Sequence, residues 1–219
     1  MRRVENSTSV DSPLGPVIGP LVIAGVVVDD KHLDSLKNDG IKDSKLLSPL
    51  QRKRFFEHVK NSVKDYKIII IQPDEIDRAV EGGNLNWLEA DKSAEIINAL
   101  KPERAMLDCP SNNTNAYRSY VFERLENKNI ELNAEHKADL NHVEVSAASI
   151  LAKVTRDNEV VKICKRIGES CGSGYPADPI TKQFLEKNYR KYSDIFRKSW
   201  APYKKMAGKE SQRGINSFE

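Results

Sequence analysis

The chain has 219 residues, 39% of them hydrophobic and 31% charged, with 35 Lys/Arg against 32 Asp/Glu for a net charge of +3. That length suits one large domain, or a domain with a small appendage; no apolar run approaches the roughly 20 residues of a membrane span, and no secretion leader is expected. Three scattered cysteines, Cys109, Cys164 and Cys171, argue against a structural zinc site and suit a reducing cytoplasm.

Met1 to Ser9 is polar and poor in strand formers. Gly15, Pro16, Gly19 and Pro20 are turn chemistry ahead of Leu21–Val28, a short β-branched run that predicts a buried strand. Asp43, Ser44 and Lys45 follow in a loop. Ser48, Pro49 and Gln51 then predict a helix start, with Ser48 as cap, Pro49 at the first helical position and Gln51 closing a capping box. Phe55, Phe56, Val59 and Val63 form its buried stripe.

Lys67–Gln72 predicts a strand stopped by Pro73. After Gly82 and Gly83, Asn84 can cap a helix to about Leu100, with Trp87, Ala90, Ala94 and Ile97 on one face. Arg104–Asp108 predicts a short strand ending in a carboxylate. Tyr117, Tyr120, Val121 and Leu125 mark another helix, and Ile130–Ala134 another strand. The stretch from His136 to Asp157 is the best organised. Asn141 and Glu144 read as a capping box, and Val143, Ala147, Ile150, Leu151 and Val154 recur at helical spacing. Cys171–Pro179 is a tight loop before a last helical region carrying Phe184, Leu185, Phe196 and Trp200. Strand–helix alternation followed by helices predicts an α/β sheet with a helical C-terminal portion.

Charge is uneven. Residues 182–219 hold ten Lys/Arg against four Asp/Glu, leaving 25 against 28 before them. A basic, aromatic-bearing section beside an acidic body fits a nucleic-acid enzyme, and equally a solvated amphipathic helix. Asp108 after a strand, Asp139 at a helix start and Asp11 before the first turn are carboxylates that could converge. Carboxylates brought together repel, so they persist with raised pKa values or around a cation. Without a His- or Cys-rich set nearby, hard oxygen ligands point to Mg²⁺ or Mn²⁺, two of which can cleave a phosphodiester. Taken alone, Asp139 reads as readily as a helix-start acid favoured by the dipole.

The blocks GPVIGPLVIAGVVV, IKDSKLLS, RAMLD, HKAD with VSAASILAKVTRD, and GSGYPADP together resemble the ribonuclease HII family, most closely its archaeal members, from about Gly15 to Trp200. The resemblance implies an α/β ribonuclease H-like fold with a five-stranded mixed sheet and a helical C-terminal extension. It implies a catalytic domain over 1–180, the extension over 181–208 and a flexible tail over 209–219. It also implies metal-dependent cleavage of the RNA strand in RNA–DNA hybrids and at ribonucleotides embedded in duplex DNA. By position, Asp108 and Asp139 match catalytic, metal-binding aspartates, with Asp11 as a third. Tyr175 matches the tyrosine that stacks on the sugar at the RNA–DNA junction, although a core-packed loop tyrosine would look the same. Gly15, Lys45 and Lys153 are implied substrate contacts. For Ser146 and Ser149, packing is favoured over substrate contact.

One stretch departs from that pattern. The resemblance implies an Asp-Glu pair followed by Ala and a Gly-Arg/Lys-Gly turn, where this chain reads Ser9-Val10-Asp11-Ser12-Pro13-Leu14-Gly15. Aligned without a gap, Val10 replaces the aspartate and Asp11 the glutamate; with one residue deleted, Asp11 is the aspartate and Ser12 replaces the glutamate. Either way one carboxylate remains of two. Pro13 brings no N–H to a turn that reads a 2′-hydroxyl, and Leu14 no charge for a phosphate. Weak cleavage, retained hybrid binding without cleavage, and an N-terminus altered by a cloning or gene-boundary error all accommodate this. The polar residues just before it also make a central strand there doubtful.

The spacing of Gln212, Ile215 and Phe218 resembles that of the peptide that docks into archaeal and eukaryotic sliding clamps, a helix-in-groove pattern; Glu219 stands where many such peptides have a second aromatic, so weaker docking is expected, and a chance match in a tail is the alternative. The reading is therefore a cytoplasmic, monomeric endoribonuclease of the ribonuclease HII type. Its rival is a non-catalytic hybrid-binding or clamp-associated protein on the same fold.

Overall fold

A computed structural model describes the backbone of residues 3–8, 15–41 and 48–215, and the side chains of 15–41, 48 and 50–208. The chain divides into two compact units. The first comprises residues 1–9, 22–70 and 85–155, and the second residues 10–21, 71–84 and 156–219.

The first unit is built on a five-stranded sheet in the order β3-β2-β1-β4-β5. These strands are β1 (Arg3–Thr8), β2 (Leu21–Val28), β3 (Asp65–Ile71), β4 (Arg104–Asp108) and β5 (Glu131–Glu135). β1 runs antiparallel to β2, Arg3 opposite Val28 and Thr8 opposite Ile23, and parallel to β4, Arg3 opposite Arg104. β4 and β5 are parallel, so the sheet is mixed as expected. The doubt over a central strand is corrected: polar Arg3–Thr8 lies in the middle of the sheet. Hydrogen bonds on both flanks override weak intrinsic propensity there.

β2 is buried at all eight positions, the mark of a strand covered on both faces. Val22, Ala24, Val26 and Val28 join a core with Leu33 and Leu36 of α1 (Asp30–Asn38), Val59 of α2 (Pro49–Ser62) and Ala147, Ala148, Ile150, Leu151 and Ala152 of α7 (Val143–Ile167). The small α7 residues let the helix lie close to the strand. Ser146 and Ser149 are buried on the same helix, at 1% and 5% exposure, in line with packing. The α2 start is as predicted: the Gln51 backbone N–H donates to Ser48 Oγ and the Ser48 N–H to Gln51 Oε1.

The helix α4 (Leu85–Leu100) contacts β1 and α5 (Thr114–Glu123), and α5 contacts β5. Trp87 stacks on Tyr120 with ring centroids 4.3 Å apart. Two helices before β4 escaped the sequence reading. α1 is capped by Asp29, whose side chain accepts the His32 N–H at 3.1 Å. α3 (Pro73–Glu81) begins at the proline that was expected only to stop β3.

In the second unit the stretch Gly15–Pro20 is wholly buried. The Val17 N–H donates to the Gly174 carbonyl at 2.8 Å, the Gly19 N–H to Ile195 at 2.9 Å, and the Arg197 N–H to Val17 at 2.9 Å. The enclosed Arg197 guanidinium donates to the carbonyls of Gly19 and Pro20 at 3.0 and 2.7 Å. Asp77 of α3 accepts from the Lys198 and Ser199 N–H groups and from the Ser199 hydroxyl, tying that helix to the same segment. Phe184 and Leu185 are buried on α8 (Pro179–Asn188). Phe196 and Trp200 lie before α9 (Ala201–Ile215) rather than inside a helix, because Ile18 and Phe196 form an antiparallel bridge.

The cysteines also differ from expectation. Cys164 and Cys171 form a disulfide with Cα atoms 5.5 Å apart, while Cys109 is free and buried. Gly168 (φ 72°) turns the chain back at the end of α7, bringing the two cysteines within bonding reach. Disulfides also occur inside hyperthermophile cells, so the pair does not by itself assign a compartment.

Candidate active site and family

Two of the three candidate carboxylates are brought together by adjoining elements. Asp108 is the last residue of β4, and the next strand, β5, leads to α6 (Ala138–Asn141), with Asp139 in its first turn. The connection turns sharply at Lys137, held at φ 56° and ψ 39°. Such left-handed backbone costs a non-glycine residue on the order of 1–3 kcal/mol and is tolerated where surrounding structure demands it. The turn aims the Ala138 N–H at Asp108 Oδ1, 3.1 Å away. Asp108 is thereby tied to the residue preceding Asp139. Asp108 is half-buried, whereas Asp139 is only 3% exposed.

The capping-box reading is corrected here. Asn141 closes α6, His142 breaks the helix with extended backbone (φ −125°, ψ 112°), and α7 starts afresh at Val143. His142 Nε2 lies 3.0 Å from Glu135 Oε2, and His136 Nδ1 lies 3.1 Å from the Cys109 carbonyl. These contacts brace the turn from both sides. Burial, followed by the neighbouring Asp108 and Glu89 charges, pushes the Cys109 thiol up and keeps it protonated. The bracing contacts of His136 and His142 and the turn at Lys137 have no signal in the sequence, since a lysine in left-handed backbone leaves no compositional trace.

The donor chemistry fits a hard divalent cation: two carboxylates, one enclosed, with no thiolate competing for it. Among the described residues no group of three or more His, Cys, Asp or Glu is placed to hold a metal. Asp11 and Lys45 lie outside the described residues, as does Phe218. Lys153 is half-buried on α7 in the first unit.

Tyr175 belongs to the second unit, in the loop between α7 and α8. Its ring lies over the Arg156 guanidinium at 4.4 Å, and Arg156 donates to the Ser173 carbonyl at 2.8 Å. Gly172 and Gly174 take φ values of 69° and 84°, and a methyl group at Gly172 would sit 2.7 Å from Asp178 Oδ2. Asp178 caps α8 through the Ile180 N–H at 2.9 Å and receives the Ser173 N–H at 2.7 Å. The Asp178-Pro179 pair is a helix start legible in the sequence; the contact with Arg156, 19 residues before the tyrosine, is not. Gly15 is buried in this unit, and the backbones of Gln212 and Ile215 lie in α9.

Comparison with known proteins agrees with this architecture. The family model for ribonuclease HII matches residues 14–203, starting beyond most of the altered stretch. The ribonuclease HII of Pyrococcus furiosus is 44% identical over 213 residues, 93% of each chain. The crystal structure of the ribonuclease H2 from Pyrococcus horikoshii superposes with a TM-score of 0.84 at 37% identity, covering 95% of this chain and 98% of that one. A PCNA:RNase HII complex from Archaeoglobus fulgidus gives 0.79 at 32% identity, covering 90% and 94%. The chain belongs to the ribonuclease HII family of metal-dependent endoribonucleases.

Proposed function

We propose that this chain hydrolyses the RNA strand of RNA–DNA hybrids and cuts at single ribonucleotides in duplex DNA, with Asp108 and Asp139 as its metal-holding carboxylates. The observation that carries the assignment is the Ala138 N–H on Asp108 Oδ1, which locks a strand-end carboxylate to the turn presenting Asp139. The hydrogen bond orients the Asp108 carboxylate, and α7 behind Asp139 limits its movement. Asp11 is the third ligand in this reading. When bound, two Mg²⁺ or Mn²⁺ ions supply the charge that acidifies water and stabilises the leaving oxygen, giving a 3′-hydroxyl and a 5′-phosphate. Gly15, Lys45 and Lys153 are the proposed backbone contacts, and Tyr175 offers an aromatic face to the ribose at the junction.

Gln212, Ile215 and Phe218 are proposed to dock into a sliding clamp; an Archaeoglobus relative forms a complex with PCNA, which supports that reading. No helix among the described residues is long and apolar enough to cross a membrane. A cytoplasmic monomer is part of the proposal.

The deciding experiment is cleavage of a labelled DNA duplex carrying one ribonucleotide, with Mg²⁺ and separately with Mn²⁺, beside Asp108→Asn. Metal-dependent nicking 5′ to the ribonucleotide that disappears in the variant supports the assignment. Absence of nicking at high enzyme concentration, with hybrid affinity retained in chelator, would instead establish a binding protein on this fold. The single carboxylate at Asp11 is what favours that second reading.

A further inference from the structure

Arg156 is 2% exposed, and the chemistry proposed above makes no use of it. A buried guanidinium is costly unless its charge and donors are met. Here Nη1 donates to the Ser173 carbonyl at 2.8 Å, Nη2 lies 2.7 Å from Asp157 Oδ1, and the guanidinium carbon is 4.4 Å from the centre of the Tyr175 ring. Two of these three contacts fall on the loop Ser173–Tyr175.

That loop is constrained from its other side as well. The Ser173 N–H donates to Asp178 at 2.7 Å, the Gly174 N–H to Thr181 Oγ1 at 3.0 Å, and Thr181 Oγ1 donates to the Cys171 carbonyl at 2.9 Å. The backbone is therefore fixed by α8, and the Arg156 guanidinium bears on the Tyr175 ring that this backbone carries. The planar guanidinium restrains the plane of the ring, while its Nη1 bond to Ser173 and its Nη2 contact with Asp157 hold the guanidinium itself in place. Tyr175 is only half-buried, so part of the ring stays accessible.

We infer that Arg156 is a positioning residue for ribonucleotide recognition: it holds the Tyr175 ring in the plane that meets the ribose before substrate arrives. The inference rests on the ribose-reading role of Tyr175. Its physical basis is pre-organisation, since a ring already ordered loses less side-chain freedom on binding.

The test measures binding in chelator, so that it does not depend on cleavage. Affinities of the full chain are compared by fluorescence anisotropy for a DNA duplex with one ribonucleotide and for the all-DNA duplex. The variants are Arg156→Met, Arg156→Lys, Tyr175→Ala and the Arg156→Lys/Tyr175→Ala double variant. Arg156→Met is expected to lower the preference for the ribonucleotide duplex about tenfold, and Arg156→Lys by less, since it keeps the cation without the fork. In the Tyr175→Ala background, Arg156→Lys should cost nothing more. Should Arg156→Met fail to fold, Arg156→Lys and the double variant carry the test. Equal loss on both duplexes, or a further loss in the double variant, would show a merely structural arginine. Preference lost in Tyr175→Ala but intact in both Arg156 variants overturns this inference alone. Preference intact in Tyr175→Ala overturns the ribose-reading role itself.

Discussion

Asp108 can be changed in two ways that separate its proposed chemistry from its structural bond. Asp108→Asn keeps an oxygen at the Oδ1 position, so it can still accept the Ala138 N–H now 3.1 Å away. Asp108→Ala removes the acceptor and leaves the N–H of buried Ala138 unpaired, at a cost of about 1–3 kcal/mol. For a chain of this length each kcal/mol lowers the melting temperature by about 2–4 °C, so Ala should melt roughly 2–12 °C below Asn, with Asn close to the parent.

The metal response should follow a different pattern. A pair of unit charges about 4 Å apart is worth about 4 kcal/mol near a protein surface, so losing one negative charge should weaken cation-dependent function by roughly a thousandfold. Both variants should therefore lose nicking, and both should lose the upward melting shift that Mg²⁺ or Mn²⁺ gives the parent. Differential scanning fluorimetry with and without metal, beside the nicking assay, checks both statements. Equal melting temperatures for Asn and Ala would refute the structural bond. A full metal shift in Asn would refute the ligand role, even in a chain whose cleavage is weak.

Reducing the Cys164–Cys171 disulfide opens a loop of sequence separation 7, which chain-entropy reasoning values at about 2–2.5 kcal/mol. A strong reductant should thus lower the melting temperature by about 5–10 °C, and a Cys164→Ser variant should show no further response. An unchanged parent would count against the clip. Asp178 makes the same loop acid-sensitive. The Ser173 backbone N–H, then the Ser173 hydroxyl and the Ile180 and Thr181 N–H groups, hold its carboxyl below the ordinary 3.8. A depressed carboxylate stabilises the folded state fully above its unfolded value and loses that contribution as pH falls through the folded one. The melting difference between parent and Asp178→Asn should therefore be constant above about pH 5 and shrink below 3.8; a difference independent of pH would contradict the assignment. Removing residues 209–219 should abolish co-elution with an archaeal sliding clamp while leaving hybrid affinity within about twofold, because the tail is proposed to serve the partner alone. Retained co-elution would place the clamp contact elsewhere.

Local chemistry was enough to place β2, β4, the capped start of α2 and the buried face of α7 from Val143 to Val154, because each is encoded within a few residues. The same holds for Asp108 at the end of β4, whereas Asp139 was read as preceding the long helix and lies in the separate short helix α6. α1 and α3 were also encoded locally, by Asp29 and by Pro73 at a first helical position, but the proline was read only as a stop. Other features have no local signature. β1 reads as polar coil and becomes a central strand only because β2 and β4 pair with it on both sides. Lys137 takes a conformation its side chain disfavours because the surrounding fold holds that turn. Arg156 meets Tyr175 across 19 positions, and Arg197 reaches Gly19 across 178. Short-range patterns such as caps, apolar periodicity and turn residues set the elements and the residue types available for chemistry. The partners of buried charges, and the bond tying Asp108 to the Asp139 turn, arise from packing of segments distant in the chain, where burial makes an unmet donor or charge too costly to leave alone.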